Sequence, residues 1–352
     1  NQIMTINVPW ESGVKEKLIN AGNIQNSGIE IALNTTPIKK KQWQWDLNFT
    51  YTRNRNKIVE LSPDVTSYIN LDGAANYGNY RIASVAKVGS DYGMLMSDSW
   101  IKTDEKTGKP VVGYTNKFRT VYYKRGGTVK EVGSMLPNFL GSLNSTLRWK
   151  DLSLYVLFDA RFGGYVASYN SRYATAYGFS GETEKYRKGM TWTSKYANAQ
   201  DKVFTDGFIP DVVFDAGTIV TTPGGTNQDV SGMTYQEAYE KGYVEPAHLQ
   251  SAAYFKNSWG TGVINDDWFK KINYIALREI TLSYNVPTKI SSYIGAKNLS
   301  LSFTGRNLAY LLNTAPNHEN PESVRGTGAA QFRMRSFMPY TASYLFTLNA
   351  TF

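Results

Sequence analysis

Cysteine is absent from the 352 residues of this chain. Its absence excludes disulfide frameworks, thiolate metal sites and cysteine nucleophiles together, and it is compatible with an oxidising cell envelope. Long apolar runs are also missing, since no stretch approaches about 18 consecutive apolar residues, so the sequence predicts no membrane-spanning helix. The only histidines, His248 and His318, fall in expected loops without a second metal-type ligand at helical spacing. We therefore expect both to lie on the surface or to pack in loops, and we expect no metal site.

Signatures of catalysis and of nucleotide binding are missing as well. No Gly-x-Ser-x-Gly elbow, His-Glu-x-x-His pair, phosphate-binding loop or dinucleotide glycine fingerprint is present. The sequence therefore predicts a protein that is not an enzyme, with no catalytic residues and no cofactor. The net charge is +9, but the basic residues are scattered, and the one compact run, residues 39–41, falls in a short expected turn. A nucleic-acid site needs a concentrated basic face, so we expect no nucleic-acid partner.

The end of the chain alternates between apolar and polar side chains without a slip. Every second position is apolar, and the residues concerned are Tyr344, Phe346, Leu348, Ala350 and Phe352. A period of two places these side chains on one face of a strand and leaves the other face polar. The sequence therefore predicts a strand with one apolar and one hydrated face.

Six further segments show the same alternation. Together with the last strand they cover residues 29–33, 43–52, 143–149, 152–162, 279–286, 299–306 and 344–352. Strands of roughly ten residues can cross a bilayer at a steep tilt. Trp43 and Tyr51 lie on one face with roughly 20 Å of vertical rise between them, close to the spacing of aromatic girdles. We predict an all-β fold: a transmembrane, antiparallel, up-and-down β-barrel with about seven strands in this chain.

Short and long connections alternate along these strands, as an up-and-down barrel requires. The short connections, 37–42, 150–151 and 287–298, are expected on the periplasmic side, and the long ones, 53–138, 163–275 and 309–339, outside the cell. We expect a hairpin turn at 103–110 and a helix at 234–241 within the long connections. Seven strands would leave two open edges in lipid, and no signal peptide is present, so we expect a longer polypeptide.

Several phrases resemble a known family. They lie at residues 20–30, 54–58, 159–164, 276–287 and 304–308, in family order. Together they resemble the carboxyl-terminal half of SusC/RagA-like TonB-dependent transporters. The resemblance implies a plugged barrel of about 22 strands, of which this chain holds the C-terminal part. One departure concerns residues 317–322, where the family usually shows Gly-x-Asp-Pro-Glu and this chain has Asn320 in place of the aspartate.

The resemblance also implies partners. These are a SusD-like surface lipoprotein that covers the barrel, inner-membrane TonB acting through the amino-terminal part, outer-membrane lipid, and an oligosaccharide or peptide cargo. The barrel assembly machinery would recognise the terminal aromatic residue. The expected assembly signal is therefore Phe352 with Leu348, Phe346 and Tyr344 behind it.

Two sets of candidate functional residues follow. The polar face of the strands is expected to face the lumen, with the charged residues Asp46, Arg148, Asp159, Arg161, Glu279 and Arg306. Neither sign dominates this set, which suits a neutral or zwitterionic cargo or contact with the plug, and Asp159 and Arg161 are expected to form a salt-bridge ladder. The long loop supplies expected contacts to the cargo or to the lipoprotein: Tyr165, Tyr169, Arg172, Tyr173 and Trp192.

The leading hypothesis is TonB-dependent active import of an oligomeric nutrient, a glycan or a peptide, across the bacterial outer membrane. The alternative is a surface β-rich adhesin, a binding module without transport. An adhesin would carry polar residues on the outer faces of its strands, and apolar rows such as the one at 152–162 argue against it. A third class, an outer-membrane enzyme, would require a Ser-His pair at one rim, which the sequence does not provide.

Overall fold

The structure is a computed structural model. It describes the following residues: 2–7, 11, 13–14, 16–63, 65, 67–71, 75–77, 80–98, 100–117, 119–177, 179–180, 189–247, 264, 268–324, 332–334 and 339–352.

Within these residues the dominant element, the main sheet, is one antiparallel sheet whose strands neighbour one another in chain order. The strands are β1 (Gln2–Asn7), β2 (Glu16–Lys40), β3 (Trp43–Leu61), β4 (Phe139–Trp149), β5 (Leu152–Ser168), β6 (Phe269–Val286), β7 (Asn298–Asn313) and β8 (Ser343–Thr351). A two-residue strand, Arg333–Met334, pairs in parallel with the end of β5. The all-β, up-and-down prediction is confirmed.

All seven predicted strands are present, and β1, which the sequence did not predict, pairs with β2. The prediction of about ten residues per strand was wrong for most of them. β2 has 25 residues, β3 has 19 and β6 has 18. The connections therefore run over 62–138, 169–268 and 314–342, which we call loop A, loop B and loop C, and the predicted boundaries at 53, 163, 275 and 309 lie inside strands.

The strands extend beyond the segments that alternate in the sequence, because the loops cover both faces of the strands at one end. Ile58 and Leu61 at the end of β3 are buried against Ile69 and Ala86 of loop A. Ala167 at the end of β5 is buried in another cluster with residues of all three loops. Where both faces are covered, apolar residues occur at consecutive positions, and the period of two disappears.

In the part of the main sheet that the loops do not cover, the register separates an apolar face from a polar face. Phe303 lies opposite Phe346, and Leu154 lies opposite Leu282 on the apolar face. The apolar side chains remain accessible: Leu282 is 50% exposed and Phe346 is 72% exposed. No second sheet of the described residues packs on this face.

Aromatic rings concentrate at the two ends of the apolar face. Trp43 and Trp149 stack with 5.6 Å between ring centroids at one end. Phe139 contacts both Tyr51 and Phe162 at the other end, with centroids 5.3 and 4.8 Å away. Phe139 and Trp149 lie ten residue steps apart along β4, which corresponds to about 25 Å of height at a tilt near 40°.

The β2–β3, β4–β5 and β6–β7 connections, which are short, lie at the tryptophan end. The Lys150 amide donates to the Gln42 carbonyl at 3.0 Å, which joins two adjacent turns. The β6–β7 connection forms a short helix, Thr288–Ser291, followed by a 3-10 turn, Ser292–Ile294. The three long loops leave from the opposite end, as the alternation of connection lengths predicted.

Loops A and B contain small sheets and helices of their own. Loop A carries the strands Tyr68–Asn70, Ala75–Tyr77, Tyr80–Lys87, Met94–Ser97, Trp100–Ile101, Val111–Thr115, Thr120–Tyr123, Arg125–Gly126 and Lys130–Ser134. Loop B carries the helices Tyr169–Ala176 and Tyr235–Glu240, the 3-10 helix Ala197–Ala199 and the strands Met190–Thr193, Val203–Gly207, Val213–Phe214, Ile219–Thr221 and Asn227–Asp229. Loop C carries the 3-10 helix Pro316–His318.

Two local predictions within the loops are confirmed. Thr103 and Pro110 form an antiparallel bridge that closes the predicted hairpin turn. The helix predicted at 234–241 begins after Thr234. The Thr234 side chain accepts from the Glu237 amide, and the Glu237 carboxylate accepts from the Thr234 amide, which completes a capping box. Loops A and B share one core, because Val112 and Val121 pack with Phe214 and Tyr235.

Among the helices that the structure describes, none has the length and hydropathy needed to cross a membrane.

Candidate functional site

The polar face of the main sheet forms rows of cross-strand hydrogen bonds. Asn48 donates to Asn144 at 2.7 Å, and the hydroxyls of Ser283 and Ser302 lie 2.9 Å apart. These pairs satisfy part of the hydrogen-bonding capacity of the face within the sheet itself.

All six charged residues predicted for this face lie on it. Arg148 donates to Asp46 at 2.6 Å, and Arg306 donates to Glu279 at 3.0 Å, so four of them form two cross-strand ion pairs. These pairs are partly exposed, so solvent screening weakens both. That the face borders a lumen stays a prediction.

The predicted pairing of Asp159 with Arg161 was wrong. Asp159 instead accepts two hydrogen bonds from Arg278, at 3.2 and 2.8 Å. Arg161 donates to the backbone carbonyls of Gly163 and Met135, at 3.3 and 3.2 Å. Residues two apart on one strand point in the same direction but lie far apart along it, so a residue on the neighbouring strand is the better partner for Asp159.

Arg278 is a functional candidate that the sequence reasoning missed, because it follows the apolar Leu277 and precedes Glu279. Leu157 and Phe158, which are consecutive on β5, lie opposite Glu279 and Leu277, and this makes Arg278 the extra residue of a β-bulge. A bulge reverses the alternation, so Arg278 and Glu279 both reach the polar face. No signal in the sequence alone marks this shift.

Arg278 belongs to a cluster that joins the sheet to loop C. Its guanidinium donates to Glu322 at 2.7 Å, and Glu322 also accepts from the hydroxyls of Tyr310 at 2.8 Å and Tyr274 at 3.3 Å. We call Asp159, Tyr274, Arg278, Tyr310 and Glu322 the latch cluster. Burial alone would raise the pKa of Glu322, but hydrogen bonds from Arg278 and Tyr310 outweigh it and hold the pKa below its ordinary value.

Asn320, the departure from the family phrase, has a defined role beside this cluster. Its side-chain oxygen accepts from the Tyr310 hydroxyl and from the Glu322 amide, both at 3.1 Å. An aspartate here would place a second carboxylate beside Glu322, and like charges at this distance repel. The neighbouring His318 is exposed, and His248 lies outside the described residues.

The predicted contacts at the start of loop B divide into buried and exposed residues. Tyr165 and Tyr169 pack against a buried cluster of loop residues, and Arg172 is buried with its guanidinium 4.7 Å from the Trp268 ring centroid. Tyr173 is exposed. Of these four, Tyr173 is therefore the one whose side chain is exposed. Contact with a cargo or a lipoprotein stays a prediction for all of them.

Trp192, the fifth predicted contact, lies in a different part of loop B. Its ring stacks on Phe204 with centroids 4.7 Å apart, and it borders a cleft of about 240 Å³ between loops A and B. The cleft is also lined by Arg119, whose guanidinium lies 4.0 Å from the Tyr196 ring centroid. Burial raises the pKa of Tyr196. The structure thus does not bring Trp192 together with the other four residues.

The proposed assembly residues lie on the last strand and share the apolar face. Tyr344, Phe346, Leu348 and Phe352 are all exposed. Within the part of the chain that the structure describes, no group of three or more histidine and acidic side chains is arranged to hold a metal ion.

Comparison with known proteins identifies a relative in sequence and a shared fold. The chain is 22% identical over 313 residues to TonB-dependent receptor P26 of Formosa agariphila, covering 87% of this chain and 26% of the relative. The solved structure of the RagAB peptide transporter matches with a TM-score of 0.57 and 13% identity over 99% of this chain and 31% of that chain. No protein-family model matches.

The RagAB peptide importer in its closed-closed state gives a TM-score of 0.58 with 14% identity, covering 99% of this chain and 32% of that chain. At this level of identity the likeness concerns the fold. The chain spans 26% of the length of its curated relative, so the activity of a whole protein is not carried over by these matches. The expected fold, part of an antiparallel β-barrel, is shared with the RagAB structures.

Proposed function

Because the chain is SusC/RagA-like, with the fold of part of a TonB-dependent transporter barrel, we propose that it forms barrel wall and external loops of an active importer in the bacterial outer membrane. The cargo is an oligomeric nutrient, a peptide or a glycan. The proposed importer works with a SusD-like lipoprotein as a lid and draws energy from TonB through a part of the protein outside this chain.

One observation carries this proposal: the main sheet is a single layer with an exposed apolar face between two rows of aromatic rings. An apolar face of this size in water would be an aggregation hazard, whereas acyl chains cover it without cost. The height of about 25 Å between the aromatic rows matches the hydrocarbon band of an outer-membrane barrel. A water-exposed adhesin would instead carry polar residues on this face.

The polar face suits the inside of a plugged barrel. Its ion pairs combine positive and negative groups. The wall would therefore present no field of a single sign to a cargo or a plug. The latch cluster holds loop C to the strands, which supports a fixed rim under a moving lid. Tyr173 and Trp192 lie in loop B, and we assign them to contact with the lipoprotein or the cargo.

The proposed import involves no covalent chemistry in this chain and no cofactor. The apolar residues of β8, ending at Phe352, serve as the signal for the barrel assembly machinery. Peptide is the cargo named for the RagAB transporter, and it is the first class to test here. Glycan importers share the same scaffold phrases, so both classes belong in the experiment.

Uptake by the native bacterium tests the function. Deletion of the gene for the full-length protein should abolish growth on oligopeptides or on oligosaccharides, while growth on the corresponding monomers persists. Deletion of TonB should reproduce the loss. A deletion strain that takes up both oligomer classes normally but no longer adheres to surfaces would overturn the transport function and favour the adhesin.

A further inference from the structure

The end of the main sheet that carries the short connections has an uneven charge. Six lysines lie in or beside these connections, and we call them the lysine rim: Lys39, Lys40, Lys41, Lys150, Lys289 and Lys297. Residues 37–43, 149–152 and 286–298, all described, contain a single acidic side chain, that of Asp151. This end therefore carries a clear excess of positive charge.

The rim differs from the other charged groups of the sheet. Three arginines of the polar face, Arg148, Arg278 and Arg306, are paired with carboxylates. Among the described residues no ion pair involves a rim lysine. Lys150 points toward Trp149 with its ammonium 5.2 Å from the ring centroid, and Lys297 donates to a backbone oxygen of Phe352. The rim therefore keeps a net positive charge, since its six lysines are accompanied by one acidic side chain.

Aromatic and aliphatic side chains accompany these lysines. Trp43 and Trp149 lie directly opposite each other at the end of the apolar face, exposed by 42% and 41%, and Lys40 is paired in register with Trp43. Tryptophan rings favour the headgroup level of a membrane, where the ring is partly apolar and its N–H is hydrated. The lysines thus lie at the height of lipid headgroups.

The short helix between β6 and β7 adds a second apolar surface at the same level. Ile290, Tyr293 and Ile294 have the spacing of one helical face, and Tyr293 is 90% exposed. Lys289 and Lys297 flank them in the sequence. An exposed apolar face with lysines beside it is typical of a segment that lies in a membrane interface.

We propose that the lysine rim binds the phosphate groups of anionic phospholipids in the adjoining leaflet. The inference rests on the proposed function, since it requires the apolar face to lie in lipid. Ammonium groups attract phosphate as point charges, and a lipid with a net negative charge has no cation of its own to compete with them. A zwitterionic lipid has such a cation, so the rim should prefer anionic headgroups.

A second copy of this chain is a poor occupant for the same surface. A symmetric contact would place one lysine rim against another, and like charges oppose such an interface. Exposed tryptophan beside uncompensated lysine is better matched by a lipid, which supplies acyl chains and an anion in one molecule.

Lipid binding by the full-length protein that contains this chain tests the proposal. The protein is titrated in detergent with phosphatidylglycerol or phosphatidylcholine probes that carry the same fluorophore. The test variant carries K39Q, K40Q, K41Q and K150Q, and the charge-matched control carries K106Q, K195Q, K202Q and K241Q in loops A and B. A third variant replaces the four rim lysines with arginine.

Wild type should bind the phosphatidylglycerol probe more tightly than the phosphatidylcholine probe. The rim glutamine variant should bind it at least about tenfold more weakly, while the loop control and the arginine variant keep the preference. A rim glutamine variant that keeps the full preference, or that loses only self-association, overturns the proposal. Equal binding of both probes by wild type refutes the lysine rim alone, whereas failure of wild type to bind either probe refutes the proposed function.

Discussion

Nη2 of Arg278 lies 2.7 Å from Oε1 of Glu322, so the bulge in β6 holds loop C directly. The same nitrogen lies 2.8 Å from Oδ2 of Asp159 on β5. One guanidinium therefore connects two strands and a loop. Because Glu322 also accepts from two tyrosine hydroxyls, its carboxylate is the point on which the attachment of loop C depends.

Glu322→Gln should loosen loop C without unfolding the sheet. The amide loses the negative charge that attracts Arg278, while Asp159 remains as a partner for the guanidinium. The Glu322 side chain is 39% exposed, so screening limits the loss to about 1 kcal/mol. Hydrogen exchange of amides 314–324 should then accelerate about fivefold. E105Q, at an exposed turn of loop A, is the control and should leave that exchange unchanged.

The attachment of loop C should weaken in acid. The pKa of Glu322 in the folded protein lies below its ordinary value of 4.5. A depressed pKa contributes stability that is present above the unfolded pKa and is lost as pH falls through the folded value. Exchange of amides 314–324 should therefore accelerate below pH 4.5 beyond the intrinsic rate. E322Q should lack this acid step, and an acid step that persists in it would refute the assignment to Glu322.

Glu319, in the same loop, should behave in the opposite sense. It is buried, and burial raises the pKa of its carboxyl above the ordinary value although Asn170 donates to it at 3.2 Å. A raised pKa contributes stability below the unfolded pKa that is lost as pH rises through the folded value. Glu319→Gln imitates the protonated form, so at pH 7 it should slow exchange in loop C. Faster exchange would contradict this account.

Substitutions of Tyr165 and Tyr173 should have different effects, because Tyr165 contributes to packing and Tyr173 is proposed to contact a partner or the cargo. Tyr165 is packed, and an added Cβ at Gly133 would lie 2.5 Å from its ring, whereas Tyr173 is exposed. Tyr165→Ala should therefore lower the free energy of unfolding by about 3 kcal/mol. Tyr173→Ala should leave stability within about 0.5 kcal/mol and reduce nutrient uptake or lipoprotein binding. Normal uptake and binding in Y173A would remove Tyr173 from the proposed contact surface.

The sequence predicts the main sheet well where one face is apolar and the other polar. Segments such as 43–52 and 152–162 can be recognised as strands, because the period of two is a direct consequence of burial on one side. The strand ends, which include Ile58 and Ala167, cannot be recognised in this way, since the loops that cover them come from distant parts of the sequence. Their burial depends on contacts that local periodicity does not record.

The charged residues of the polar face show the same division. The alternation along β5 places Asp159 on the polar face. Its partner could not be predicted, because a one-residue bulge brings Arg278 into reach. Glu322 was visible in the sequence only as part of a phrase. Its role depends on how loop C folds back onto β6 and β7, which is a tertiary contact.

Paired substitutions at Leu157 and Phe158 test most directly which face lies in lipid. These neighbours on β5 are both apolar, but Phe158 lies on the apolar face and Leu157 lies opposite Glu279 on the polar face. In the full-length protein folded in phospholipid vesicles, Phe158→Arg should cost about 2–4 kcal/mol of unfolding free energy, because arginine enters the hydrocarbon. Leu157→Arg should cost less than about 1 kcal/mol, because Glu279 can pair with it. An equal cost, or a larger cost at Leu157, would contradict the account.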